Sequence, residues 1–289
     1  MKTLFLLLIL LQISTLASEK AVYGEDDRQE ASLHPDSRVR ELSKSVAAMF
    51  YKSHLKRKDE LYEIVFGIYG EFEKFCREVP FQGQPSASNC TAFLVAPNKV
   101  MTAGHCISTS YHCSSTSFVF DYNIENVSGP FPPYDRHQLA TNDVYNCKKV
   151  IRSVNDKSGT KLDYAIIELD RNVEGRTPLK LRTEGKVENR TSVFMIGTPS
   201  GLPLKVADQA NIFENSDSVF FRTDLDAFHN NSGSPVFNAK SFEVEGVLVR
   251  GRPDYQTRGL CKVLKKCTAS NCSEGEEVTR ILRTDFHSN

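Results

Sequence analysis

Apolar and polar positions change rhythm along the chain. Leu4 to Leu11 is an unbroken apolar run behind Met1-Lys2. From Asp36 to about Leu55, the residues Val39, Leu42, Val46, Met49 and Phe50 fall at spacings that line one face of a helix, with Lys and Arg on much of the other. Asp36 is placed to cap it. This predicts an N-terminal amphipathic helix, either an insertion packed on the main domain or part of a removable pro-segment. It runs out at the solvated junction Lys56-Arg57-Lys58-Asp59-Glu60. After Leu61 the texture is β. Runs rich in Val, Ile, Phe and Tyr cover Ile64–Tyr69, Thr91–Val95, Ser117–Asp121, Tyr164–Leu169, Ser192–Ile196, Val219–Thr223 and Val244–Arg250. Turn clusters such as Ser128-Gly129-Pro130 and Thr198-Pro199-Ser200-Gly201 separate them. Many short strands without long helical patterns between them predict an all-β sandwich or barrel. Near the end, Glu274–Leu282 predicts one short helix with acidic residues in its first turn.

Composition narrows the classes of function. The 289 residues carry 36 basic and 36 acidic side chains, a formal net charge of zero, and no basic stripe. That removes the electrostatic footprint of a dedicated nucleic-acid binder. The apolar start, followed by the small residues of Thr15-Leu16-Ala17, has the layout of a secretory signal peptide cleaved after Ala17. Its apolar core is too short to remain as a membrane-spanning helix, so no permanent membrane anchor is expected. The expected organisation is a signal peptide over residues 1–17, the helical segment over 18–63 and the main domain over 64–289. Export, to the extracellular space or to the periplasm of a Gram-negative source, places the eight cysteines where they are expected to pair.

Three short segments carry chemistry, in the order His, Asp, Ser. They are Met101-Thr102-Ala103-Gly104-His105-Cys106, Leu162-Asp163-Tyr164-Ala165 and Asn230-Asn231-Ser232-Gly233-Ser234-Pro235. A serine hydroxyl is a poor nucleophile until a neighbouring base takes its proton. An imidazole suits that task near neutral pH, and a buried carboxylate fixes its tautomer. Small turn residues around Ser232 leave room for backbone N–H groups to bind a developing oxyanion. His105 beside Cys106 is half of a metal-type pair, but no second ligand pair has suitable spacing. No metal or organic cofactor is expected.

At these residues the chain resembles the trypsin-like serine proteases. Thr102-Ala103-Gly104-His105-Cys106 is similar to the family's catalytic-histidine motif. Asn231-Ser232-Gly233-Ser234-Pro235, Val22-Tyr23-Gly24-Glu25-Asp26-Asp27-Arg28 and Ile196-Gly197-Thr198-Pro199-Ser200-Gly201-Leu202-Pro203 are similar to segments of the bacterial glutamyl-endopeptidase-like branch. The resemblance spans about Val22 to Gly251. It implies two packed six-stranded antiparallel barrels with the triad His105, Asp163 and Ser232 in the cleft between them. It also implies a disulfide from Cys90 to Cys106 that closes the histidine loop, worth roughly 3 kcal/mol in the chain-entropy model. The backbone N–H groups of Asn230 and Ser232 would form the oxyanion hole. His229 competes as the base, but it shares the serine's tight turn and approaches less productively than a histidine from a separate barrel. The implied activity is hydrolysis of protein or peptide substrates through an acyl-enzyme, by a monomer.

The chain also departs from that pattern. Residue 231 is Asn where zymogen-type relatives carry an Asp that pairs with a freed N-terminal amine. Cleavage before Ile64-Val65-Phe66-Gly67 therefore loses its rationale, and retention from about Val22 is expected. Asn230 stands where the oxyanion-hole residue is usually Gly, and Asn tolerates positive φ. Asp226 is at the position of the pocket carboxylate that selects Lys or Arg; Leu248 replaces the pocket histidine of glutamyl endopeptidases; Arg250 lies near the pocket wall. The expected preference is cleavage after Lys or Arg, with acidic or neutral side chains as the rival. Five sequons include Asn230-Asn231-Ser232 itself, which fits a source that leaves them unmodified. Six further cysteines allow fifteen pairings that sequence does not separate. Cys113 and Cys147 are close enough in sequence for a local bridge, and Cys261, Cys267 and Cys272 are expected to staple the tail to itself and to Cys76. The alternative of a different class is a non-catalytic binding protein on a protease fold.

Overall fold

The computed structural model describes residues 22–71, 73–127, 138–251, 253–267 and 275–288. The expected signal peptide, the Ser128-Gly129-Pro130 turn, and Cys272 with its sequon lie outside the described residues.

The runs rich in Val, Ile, Phe and Tyr fold into two closed antiparallel barrels of six strands each. The first contains β1 (Val46–Tyr51), β2 (Cys90–Ala96), β3 (Lys99–Thr102), β4 (Thr116–Phe120), β5 (Val144–Asn155) and β6 (Asp163–Leu169). They neighbour one another in the order β4-β5-β6-β3-β2-β1, and β1 returns to β4. The second contains β7 (Ser192–Gly197), β8 (Lys205–Glu214), β9 (Phe220–Thr223), β10 (Pro235–Asn238), β11 (Val244–Arg250) and β12 (Glu276–Arg280). Their order is β7-β10-β11-β12-β9-β8, closed where β7 pairs with β8. Gln29–Glu30 adds a short pairing outside β8.

The predicted N-terminal helix is corrected to a single short one. Helix α1 (Ser37–Ser43) starts where expected, with Asp36 Oδ1 accepting from the Arg38 N–H at 2.8 Å. It stops before Val46, because Val46–Phe50 is apolar at every position and becomes strand β1. Such a run has no helical polar face. Ala47 and Met49 enter the first barrel's core, while Ala48 and Phe50 pack outside it against Val119 and Tyr122. Residues before Ile64 are therefore not an appendage, since they complete one barrel and edge the other. The predicted C-terminal helix is corrected as well: Glu276–Arg280 is β12, hydrogen-bonded between β9 and β11, and only Ile281–Arg283 forms a 3₁₀ turn. Ile64–Tyr69 divides into the ends of two small pairings, Leu61–Ile64 and Gly67–Ile68.

Each barrel has its own core, around Leu94, Val100, Phe118 and Ile167 in the first and Met195, Ile212, Phe221 and Val236 in the second. A third cluster joins them, with Phe93, Met101 and Tyr164 packed on Phe194, Ile196 and Phe237. This apolar seam holds the facing loop ends in register. Disulfides link Cys76 to Cys261, Cys90 to Cys106 and Cys113 to Cys147, and Cys267 is disulfide-bonded as well. Among the described residues, no helix is long and apolar enough to cross a membrane.

Candidate active site

His105 sits just beyond β3, in a turn that the Cys90–Cys106 bond ties to the start of β2. Gly104 permits this turn, since a Cβ there would lie 1.9 Å from the Val154 carbonyl oxygen. Asp163 opens β6 and its side chain is 3% exposed. It holds His105 at two points: the backbone N–H donates to Oδ1 at 3.1 Å, and ring Nδ1 faces Oδ2 at 2.8 Å. With Nδ1–H donating to the carboxylate, Nε2 remains as the acceptor, the tautomer a general base requires.

Ser232 comes from the second barrel, in the turn that leads into β10. Its carbonyl accepts from the Thr91 N–H at 2.9 Å and lies 3.7 Å from Cys106 Sγ, next to His105 in the chain. Gly233 has φ of +91°, and a Cβ there would lie 2.0 Å from the Thr91 carbonyl oxygen, so only glycine fits. Asn230 adopts the left-handed conformation, φ +68°, and its Nδ2 donates to the Ser88 carbonyl at 2.9 Å. Among the described residues, the backbone N–H groups of Asn230 and Ser232 have no intramolecular acceptor. Backbone donors without an acceptor, at the serine and two residues before it, are the kind of group a developing oxyanion requires. Asn231 is fully buried, with neither side-chain polar atom hydrogen-bonded.

A cavity of about 270 Å³ opens beside Ser232, with Phe228, His229, Leu248, Arg250, Asp254 and Glu276 in its wall. Leu248 and Arg250 line it. Asp226 does not. Its carboxylate accepts from the backbone N–H groups of Tyr23 at 2.7 Å and Asp27 at 3.0 Å, so it serves the N-terminal segment and not the cavity. Burial, and then the neighbouring Asp27 charge, push its carboxyl up to about 8. Position relative to Ser232 gave no sign that residues 22–27 would dock there.

Sequence reasoning missed three acidic residues. Asp254 Oδ2 accepts from the His229 backbone N–H at 2.8 Å and also contacts ring Nδ1, so one oxygen meets the two His229 groups that Asp163 meets on His105 with two oxygens. Glu276 is 1% exposed in the cavity wall, with its carboxylate against Gly251. Glu277 accepts from Arg250 Nε at 2.6 Å and Arg222 Nη2 at 2.9 Å. Burial raises the Glu277 carboxyl, but the two guanidiniums outweigh it and leave it below its ordinary value. None of the three had a motif to announce it; the strand assignment of Glu276–Arg280 was the missing signal. Arg250 also donates to the Lys161 carbonyl at 2.8 Å, and it lines both the Ser232 cavity and a larger one of about 540 Å³ that His105 and Asp163 line.

The sulfurs of Cys90 and Cys106 lie within 4.8 Å of a His105 nitrogen, a metal-like grouping, but they are bonded to each other and offer no thiolate.

No curated protein gives a significant match. Among solved structures, the chain is similar to a Glu endopeptidase in complex with MPD, at 20% identity over 86% of this chain and 94% of that one, TM-score 0.49. It is also similar to the inactive form of the Rv3671c protease of M. tuberculosis, at 14% identity over 86% and 90%, TM-score 0.48. The VesB protease of Vibrio cholerae aligns at 14% identity over 72% and 57%, TM-score 0.46. The model of the trypsin-like peptidase domain matches residues 90–247. That is more than half of the chain, so the protein belongs to the trypsin-like peptidase family and is a serine-type peptidase.

Proposed function

We propose that the protein is an exported endopeptidase that cleaves proteins or peptides, as a monomer, through an acyl-enzyme. Ser232 attacks the scissile carbonyl carbon while His105 Nε2 takes its proton. Asp163 keeps the imidazole oriented and stabilises the imidazolium, and the N–H groups of Asn230 and Ser232 receive the oxyanion. His105 then delivers the proton to the leaving amine, and water repeats the sequence on the acyl group. The observation that carries this reading is the two-point hold of Asp163 on His105. Disulfide pairing is compatible with export. A fluorophosphonate should label Ser232 in the folded protein, and Ser232→Ala and His105→Ala should abolish labelling. A folded wild type that resists the reagent would leave only the non-catalytic binding role.

Within this reading the preference for Lys or Arg moves from Asp226 to the acidic wall of the Ser232 cavity, where Asp254 and Glu276 place two carboxylates. Glu276 is buried in that wall with its carboxylate against Gly251. A peptide-library cleavage profile tests this. Cleavage after Lys or Arg that disappears in Glu276→Gln supports it, and a preference for acidic residues would instead assign selection to His229 and Arg250.

A further inference from the structure

A cavity of about 320 Å³ has walls that share no residue with the triad or its pocket. Arg182, Lys186, Arg280 and Arg283 line it, together with Val187 and Leu282, and its one lining carboxylate is Glu245. That carboxylate is already satisfied. The Glu245 side chain is fully buried and accepts from Arg182 Nη2 at 2.7 Å and Asn238 Nδ2 at 2.8 Å.

The other three cations are fastened differently. Arg280 is 7% exposed and donates from Nε and Nη2 to the Asp217 carbonyl, at 3.2 and 2.8 Å, and from Nη2 to Asn215. Arg283 Nε donates to the Ser218 carbonyl at 2.7 Å, and Lys186 Nζ reaches the Ser216 carbonyl at 3.4 Å. All three are thus held by one loop, residues 215–218, through backbone or amide oxygens that carry no formal charge. The Asp217 carboxylate turns away to the N–H groups of Val219 and Phe220. Burial disfavours the Arg280 cation; Asp217 opposes that effect, nearby Arg283 adds to it, and the group titrates below its ordinary value. A buried guanidinium with no ion-paired carboxylate among the described residues is costly, and an anion entering the cavity offsets that cost.

We propose that this cavity is a binding site for the oxyanion of sulfate or phosphate, either free or carried as an ester on a larger molecule. Guanidinium forks match such groups, and a dianion answers more of the surplus charge than a single carboxylate. The space amounts to roughly ten waters of liquid volume, which leaves room for a carrier beside Val187 and Leu282.

The test titrates the full-length protein with inorganic sulfate, inorganic phosphate, a sulfated disaccharide and its unsulfated parent, by calorimetry and thermal melting, with chloride holding ionic strength constant. Saturable binding of the oxyanions and a raised Tm are expected, with no response to the unsulfated sugar. Lys186→Gln combined with Arg283→Gln, both exposed, should weaken binding by about tenfold or more while the Tm without ligand stays put. Lys186→Gln alone serves the same comparison if the double variant does not fold. Tighter binding of the sulfated sugar than of sulfate assigns the ester, and equal affinity assigns the free ion. No saturable response beyond chloride, or unchanged affinity in the variants, overturns the site.

Discussion

The Arg250 guanidinium stands 3.7 Å from the Asp163 carboxylate, Nη1 facing Oδ2, while its other nitrogens hold Glu277 and the Lys161 carbonyl. One side chain of the second barrel thus grips both the residue that orients His105 and the strand start that carries it. Loss of this grip loosens the carboxylate that holds His105. Arg250→Met should therefore lower kcat/KM at neutral pH by about fivefold, the equivalent of roughly 1 kcal/mol for a partly exposed pair. An unchanged kcat/KM in a folded Arg250→Met would confine Arg250 to a structural role.

Two His–Asp pairs flank Ser232, and they make opposite predictions. Asp163→Asn leaves the shape intact but favours the wrong tautomer, so kcat should fall by about 10³–10⁴-fold, as in the Ser-His-Asp template. Asp254→Asn frees only His229, in the cavity wall, and should change residue preference with at most about a tenfold loss of kcat. Steady-state kinetics on one peptide substrate separates them. If Asp254→Asn is the more damaging, His229 is the base.

Much of this was legible in the chain. Thr102–Cys106 and Asn231–Pro235 lie in rigid turns whose glycines have steric reasons to be glycine, so their local sequence carried their geometry. Runs rich in Val, Ile and Phe between turn clusters, such as Thr91–Val95 and Tyr164–Leu169, were also legible as strands. Val46–Phe50 was not, because a strand buried on both faces and a buried helix share the same apolar run. Glu276–Arg280 hid for the opposite reason: Glu276 and Arg280 are buried polar residues, and the Asn215 and Asp217 oxygens that Arg280 meets lie far away in sequence. Asp226 shows the limit of position-based inference. Its distance from Ser232 places it near the pocket, but the docking of Tyr23 and Asp27 decides where its carboxylate turns.

That docking makes stability depend on pH. Burial raises the Asp27 and Asp226 carboxyls, and Asp27's charge adds to the rise at Asp226, which reaches about 8 from an ordinary 3.8. A folded-state value above the unfolded one means that the folded protein holds the proton more tightly. The contribution is full below about pH 4 and is lost as pH rises to about 8. Melting temperature should fall between pH 5 and pH 9, by about 2–4 °C per kcal/mol lost in chains of roughly this length. Asp226→Asn keeps an acceptor for Tyr23 and supplies a donor toward Asp27, so its melting curve should be much flatter over that range. A wild-type Tm that is constant from pH 5 to pH 9 would remove the proton from this contact.

Strand β1 argues for retention of the chain before Ile64. Val46, Ala47, Ala48, Met49 and Phe50 are all fully buried, and Phe50 meets Tyr122 edge-on with ring centroids 5.1 Å apart. Burial of a Val, Met or Phe side chain contributes about 1.5–3 kcal/mol, so three of them approach the 5–15 kcal/mol by which a typical protein is stable. Cleavage before Ile64 would remove that strand and leave β2 and β4 with open edges, unless the cut piece stayed bound. The mature protein should therefore contain residues 46–51, and intact-mass measurement under denaturing, reducing conditions should find no species that begins at Ile64. Phe50→Ala should cost about 3–5 kcal/mol, and a chain begun at Ile64 should not refold. An active, monomeric protein that starts at Ile64 would show that the first barrel closes without β1.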